Sequence, residues 1–178
     1  VLAAWRNFWE NDTLQDEYVE MVDFMFSVID TIPMVLGIEI MNEPFTCAST
    51  KLERTAVTKL YKRIYEMREE KGYKKLLFFG PRMETSAGLS TCLKSFGRER
   101  IVYVPHYYDV IVDANKPYEY ASELIMSRVI TAKVYEAETF GCPIIFNEFG
   151  ARLSGIKYIH DLLNTFDRYR ASWCYYTY

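Results

Sequence analysis

No basic run crosses this 178-residue chain, whose formal net charge is −3, so the electrostatic footprint of a nucleic-acid binder is missing. No apolar stretch approaches the ~20 residues that a membrane-spanning helix needs, and no signal-peptide pattern opens the sequence. Two histidines and four cysteines, at 47, 92, 142 and 174, form no C-x-x-C pair, which excludes the usual zinc frameworks. Linkers, repeats and low-complexity segments are lacking too, leaving one domain over residues 1–178. The chain opens on Val1 rather than Met, and an N-terminal portion is expected to be missing.

Half of the residues are hydrophobic and a quarter are charged, an ordinary globular balance. The 15 Tyr and 11 Phe suit sugar-stacking surfaces, although core packing explains such a content more often. Cys142 and Cys174 lie in apolar surroundings and are expected to be buried thiols. Cys47 and Cys92 each follow an apolar run in a polar stretch, where a disulfide between neighbouring loops could form. Asn11-Asp12-Thr13 fits the glycosylation acceptor pattern. Sequon and loop cysteines together lean toward the secretory route, with a secreted or a lysosomal/vacuolar protein.

Helices alternate with short buried strands. Residues 15–30 place Tyr18, Val22, Met25 and Ile29 on one helical face. Met34 to Met41 reads as a strand buried on both sides. A helix follows over 51–71, with Val57, Leu60, Tyr61, Ile64 and Met67 inward and Gly72 as its stop. Further strands are predicted at 75–80, 101–108, 142–150 and from Ser172 to the end, and further helices at 120–139 and 156–169. Strands separated by helices of this length imply parallel βαβ units. In such folds the working groups sit at the carboxyl ends of the strands.

Those ends carry Asn42-Glu43, Arg82-Met83-Glu84, His106-Tyr107-Tyr108, Asn147-Glu148 and the segment from Trp173 onward. Two glutamates ending parallel strands suggest glycoside cleavage, because a glycosidic bond is cut by one protonated and one ionised carboxyl group. At a separation of about 5–5.5 Å the ionised one attacks directly and configuration is retained. Asn42 could donate a hydrogen bond to a sugar 2-hydroxyl. His106 and Tyr108, two apart on a strand, share a face and could hold Glu148 or the substrate. A glutamate taken alone is more often a structural carboxylate in a salt bridge; the pair with its neighbours is what points to chemistry. His160, in a helix beside Asp161, reads as a surface residue.

"IEIMNEPF", "VPHYYD" and "PIIFNEFGA" resemble the acid/base, His-x-Tyr and nucleophile motifs of glycoside hydrolase family five, in order along the chain. "FWENDTLQDEYVEMVDFMF" and "LLNTFDRYRASWCYYTY" are more similar to its endoglycoceramidase and glycosylceramidase branch. The resemblance implies Glu43 as acid/base, Glu148 as nucleophile and Asn42 as the amide on the 2-hydroxyl. It also implies His106 and Tyr108 as the pair ordering the site, and Trp173 as an indole platform under the sugar; as a plain residue Trp173 could instead be a core or barrel-closing indole. No metal or organic cofactor is implied, since acid, base and nucleophile are all side chains.

The implied fold is an α/β (β/α)8 TIM barrel, of which this chain would carry the C-terminal part, about strands 4–8. An incomplete barrel exposes edge strands, so a fragment, or a piece that pairs with a separate N-terminal barrel segment, is expected. Gly80 stands where the ceramidase branch often has a carboxylate, Asn147 where Gly commonly precedes the nucleophile, and Tyr176 where a second Trp is frequent. The expected reaction is release of sugar from a glycosylceramide or related glycolipid, with a carbohydrate or glycolipid as substrate. Phe45, Met83 and Tyr107 are candidates to line a lipid slot. A family-five endo-β-glucanase or mannanase is the alternative, and a non-catalytic scaffold retaining the barrel remnant is another.

Overall fold

Parallel pairing and intervening helices organise the chain as the apolar runs predict. The computed structural model describes residues 1–151 and 155–176. It divides into two compact units, Val1–Met83 with Thr91–Val102, and Glu84–Ser90 with Tyr103–Tyr178.

The first unit opens with α1 (Leu2–Glu10) and α2 (Asp12–Ile29). Between them Asn11 ends one helix and caps the next, its Oδ1 accepting from the backbone of Thr13 and Leu14, the ordinary reason for Asn at an N-cap. On α2 the inward face carries Val22 and Phe26, while Met25 is exposed. Val22 is thus inward as predicted, Met25 gives its place to Phe26, and Phe26 stacks on Tyr73 with centroids 5.5 Å apart.

Strand β1 is short, Gly37–Glu39, and pairs in parallel with β2 (Leu76–Phe79), Gly37 opposite Leu76. A Cβ on Gly37 would lie 2.1 Å from the Leu76 carbonyl oxygen, so only glycine lets the two backbones approach here. The prediction of a strand buried on both sides from Met34 onward is corrected: Met34 and Leu36 are 90% and 71% exposed. Strand order in this sheet is β1-β2-β3, with β3 at Ile101–Tyr103, so β1 lies at the sheet's edge and one side of it has no partner among the described residues.

The predicted helix over 51–71 begins as α3 (Thr50–Leu52), widens through one π-turn (Glu53–Val57) and continues as α4 (Thr58–Lys71). Gly72 ends it in the left-handed conformation, as expected. Met67 is only half-buried. The fully buried position is Arg68, whose guanidinium donates to the carbonyls of Arg100 (2.6 Å) and Glu99 (2.7 Å). Tyr61, Phe79 and Phe96 meet edge to face, with Phe79 and Phe96 at 4.9 Å.

In the second unit the predicted strand 101–108 breaks at Val104-Pro105, since proline offers no N–H to a ladder; β4 (His106–Tyr107) resumes it. The predicted strand 142–150 likewise splits into β5 (Ile145–Phe146) and β6 (Glu148–Phe149) around Asn147. Pairings are parallel, β4 with β6 and β5 with β7 (Ser172–Trp173). Positions 177 and 178 of the expected last strand lie outside the described residues. Helix α5 (Val110–Asp113) follows β4, α6 (Tyr120–Phe140) comes next, and α7 (Ile156–Tyr169) matches its predicted bounds. Phe146, Phe149, Leu162 and Phe166 centre the core of this unit, Phe146 stacked on Phe166 at 4.4 Å.

All four cysteines are free, so the Cys47–Cys92 disulfide does not form. Cys174 is exposed rather than buried, because β7 keeps both of its residues on the surface. Cys142 is half-buried, and burial pushes its thiol up to about 11. No helix of the described residues is long and apolar enough to cross a membrane.

Candidate active site

In the first unit the chain leaves β1 through Ile40 and Met41, both buried, into exposed Asn42 and half-buried Glu43. Glu43 has φ 42°, a left-handed conformation costing a non-glycine residue roughly 1–2 kcal/mol. Such a conformation persists only where its surroundings over-determine it, and here they do. Three carbonyls around the turn each accept a hydrogen bond from elsewhere in the unit. The Tyr18 hydroxyl donates to Ile40 at 2.5 Å, the Met83 backbone N–H to Pro44 at 3.2 Å, and the Trp9 indole N–H to Phe45 at 2.8 Å. Gln15, 2% exposed, donates to the carbonyls of Phe8 and Trp9 and so fastens the end of α1 to α2.

Beside this turn lies an apolar groove of about 460 Å³, lined by Val1, Ala4, Trp5, Phe8, Tyr18 and Met41. Phe45 meets the Trp5 ring at 6.5 Å. Of the other two expected slot residues, Met83 is exposed and Tyr107 is not available. Tyr107 is 2% exposed in the core of the second unit, donates to the Asp109 carboxylate at 3.3 Å, and has its hydroxyl pushed far up by burial.

At the end of β2 a buried polar knot follows. The Glu53 carboxylate, fully buried in the π-turn, pairs with the Arg82 guanidinium. It also accepts from the Arg82 backbone (3.2 Å), the Thr91 hydroxyl (2.7 Å) and the Cys92 backbone (2.8 Å). Arg82 was expected at the strand end, but its partner was not. No motif marks a glutamate one turn into a helix as buried.

The second unit assembles Glu148, His106 and Tyr108. Strand register sets His106 directly opposite Glu148, so their side chains leave the same face of adjacent strands. His106 Nδ1 lies 3.6 Å from Glu148 Oε2, and the Tyr108 hydroxyl donates to Glu148 Oε1 at 2.7 Å. His106 is buried and Glu148 half-buried, giving a carboxylate bonded at one oxygen, flanked by an imidazole at the other, and partly open. Asp109 explains the end of the "VPHYYD" stretch, its Oδ1 capping α5 through the N–H groups of Ile111 and Val112. Next to Glu148, Gly150 lets the chain after β7 close in, since a Cβ there would lie 2.4 Å from the Tyr176 carbonyl oxygen.

Trp173, 43% exposed on β7, pairs in register with Phe146 and meets Phe149 edge-on at 6.0 Å. One side of its ring is packed while part remains open, which a buried core indole would not show. His160 is exposed on α7 and contacts Asn164, as a surface residue does. Asn42 and Glu43 thus belong to the first unit, and His106, Tyr108, Glu148 and Trp173 to the second. Sequence reasoning found every one of these strand-end groups and missed Trp9, Tyr18 and Gln15, whose bonds to backbone carbonyls leave no residue pattern.

The family model described as Cellulase (glycosyl hydrolase family 5) matches residues 8–178. Among solved structures, endo-glycoceramidase II from Rhodococcus sp. in complex with ganglioside GM3 is 21% identical, with a TM-score of 0.85 over 98% of this chain and 43% of that one. An endogalactoceramidase is 17% identical, with a TM-score of 0.83 over 99% of this chain and 40% of that one. An endoglucanase is 18% identical, with a TM-score of 0.80, covering 97% and 61%. No curated protein matches the chain. The fold class is α/β of the (β/α)8 TIM-barrel type, and this chain spans less than half the length of the ceramidase structures it resembles.

Proposed function

The chain belongs to glycosyl hydrolase family 5, and from that membership we propose that it hydrolyses a β-glycosidic bond with retention, using two glutamates in the C-terminal portion of a catalytic barrel formed by residues 1–178. The observation that carries the reading is the Glu148 carboxylate at the end of a parallel strand, with the Tyr108 hydroxyl 2.7 Å from one oxygen and the His106 ring 3.6 Å from the other. Such partners aim the carboxylate, as a nucleophile requires.

In the first half of the reaction a Glu148 oxygen attacks the anomeric carbon while Glu43 gives its proton to the leaving oxygen. In the second, Glu43 takes a proton from water, whose oxygen displaces Glu148 and releases the sugar with its original configuration. Asn42 donates to the sugar 2-hydroxyl, His106 and Tyr108 orient the nucleophile, and Trp173 offers its open face beneath the ring. The Rhodococcus protein, similar in fold, has been solved as a lactosyl-enzyme intermediate and with ganglioside GM3.

As substrate we favour a glycosylceramide or related glycolipid. The support is the apolar groove that includes Met41, two residues before Glu43, since a lipid aglycone has to leave water on the acid/base side. An endo-β-glucanase is the second reading, favoured by the endoglucanase likeness, which covers the larger share of its partner chain. Hydrolysis of an aryl β-glucoside and of fluorescent glucosylceramide by the full-length protein tests both, with Glu148→Gln as control. Activity on both substrates, abolished in the variant, is expected. Full activity in Glu148→Gln overturns the nucleophile assignment, and turnover of the aryl β-glucoside alone, with glucosylceramide left intact, overturns the glycolipid reading while leaving the family reaction standing.

A further inference from the structure

We infer that Trp9 and Tyr18 are positioning residues for Glu43, acting as two arms of a clamp on the turn that carries it; the inference rests on the acid/base reading of Glu43. The turn needs a clamp. Glu43 sits at φ 42° without being glycine, and Cys47 and Ala48 follow at φ 53° and 60°, so relaxation toward ordinary backbone would swing the carboxyl group away from where it is held.

The clamp grips on both sides of the strained residue. Upstream, the Tyr18 hydroxyl donates to the Ile40 carbonyl; downstream, the Trp9 indole donates to the Phe45 carbonyl. Both donors stand on preceding helices, Tyr18 22 residues before the carbonyl it holds and Trp9 36 residues before its own. Trp9 is fixed in its own right, 4% exposed with its backbone carbonyl held by Gln15, and the half-buried Tyr18 ring meets Phe8 edge-on at 5.6 Å. The Met83 N–H to the Pro44 carbonyl is the third point of contact, and as a backbone donor it survives side-chain substitution. Neither Trp9 nor Tyr18 touches Glu43 through these bonds. They set the path of its backbone, and a general acid displaced by a fraction of an ångström transfers its proton poorly.

Tyr18→Phe removes one hydrogen bond and keeps the ring, whereas Trp9→Phe removes one hydrogen bond and keeps an aromatic ring but gives up the pyrrole half of a buried indole, so Tyr18→Phe is the cleaner of the two. The readout is kcat/KM, in the full-length protein, for two β-glycosides of the same sugar. One has an alkyl leaving group that needs protonation, and the other a 2,4-dinitrophenyl leaving group that does not. Glu43→Gln, measured alongside, sets the full size of the acid effect, about 100-fold or more on the alkyl glycoside.

The expected result for each clamp variant is a loss of about tenfold on the alkyl glycoside and less than twofold on the dinitrophenyl one. A role confined to folding would lower both equally, and a thermal melt of each variant shows that it is folded. Equal losses, or none, in both clamp variants while Glu43→Gln shows the split would overturn this inference and leave the proposed reaction standing. No split in Glu43→Gln overturns the acid assignment, and the clamp with it.

Discussion

Substituting Glu53 with alanine tests the buried knot behind the candidate site. The carboxylate is fully buried and receives the Arg82 guanidinium, two backbone N–H groups and the Thr91 hydroxyl. Deleting it takes the Glu53 charge from the buried Arg82 guanidinium, and breaking a buried pair from one side costs about 3–5 kcal/mol. At roughly 2–4 °C per kcal/mol for a domain of this size, the melting temperature should fall by about 6–20 °C. The assay is urea unfolding of the full-length protein followed by tryptophan fluorescence, with a thermal melt beside it. Glu53→Met combined with Arg82→Met removes both charges, and replacing a buried pair by apolar side chains is often nearly neutral. The double variant should therefore be more stable than Glu53→Ala alone, short of wild type because the backbone N–H groups stay unpaired. A single-variant cost under about 1 kcal/mol, or a double variant no better than Glu53→Ala, would refute the account of the knot as a stabilising pair.

Tyr108→Phe removes a hydrogen bond to a charged carboxylate, worth about 1.5–3 kcal/mol, so kcat/KM should drop by about 10-fold or more; a change under twofold contradicts the orienting role. At Cys142 burial raises the thiol from 9.0 to about 11, leaving a thiolate fraction about 100-fold lower below pH 9. Iodoacetamide should accordingly label Cys142 at pH 8 about 100-fold more slowly in the native protein than in the unfolded one, with labelling rising as pH climbs toward 11. Equal native and unfolded rates would show that the thiol is not held back by its surroundings.

The strand ends were legible because their signal is local and chemical. An apolar run stopping on Asn42-Glu43 or Asn147-Glu148 announces both a buried strand and a polar group at its end. The parallel register of β4 and β6 then brings His106 and Tyr108 to Glu148, as the two-residue spacing implies. Helix bounds followed the same logic, with Gly72 stopping α4 in the left-handed conformation.

What escaped depends on neighbours distant in sequence. Met34 and Leu36 read as buried because they are apolar, yet exposure is decided by what stands beside β1, which a residue pattern does not record. Met25 and Met67 yielded their places to Phe26 and Arg68, the latter because its guanidinium caps two carbonyls some thirty residues ahead. The π-turn at Glu53 shifts the helical phase by one residue and sends a carboxylate inward, which a 3.6-residue period does not predict. Tyr107, assigned to a lipid slot on its position after an apolar run, points into the core instead.

The most direct measurement is covalent trapping of the full-length protein with a 2-deoxy-2-fluoro β-glycoside bearing a good leaving group, followed by peptide mass mapping. One sugar per molecule is expected, esterified to Glu148, in protein that no longer turns over substrate. A sugar found on another residue, or rapid inactivation with Glu148 unlabelled, would contradict the nucleophile assignment.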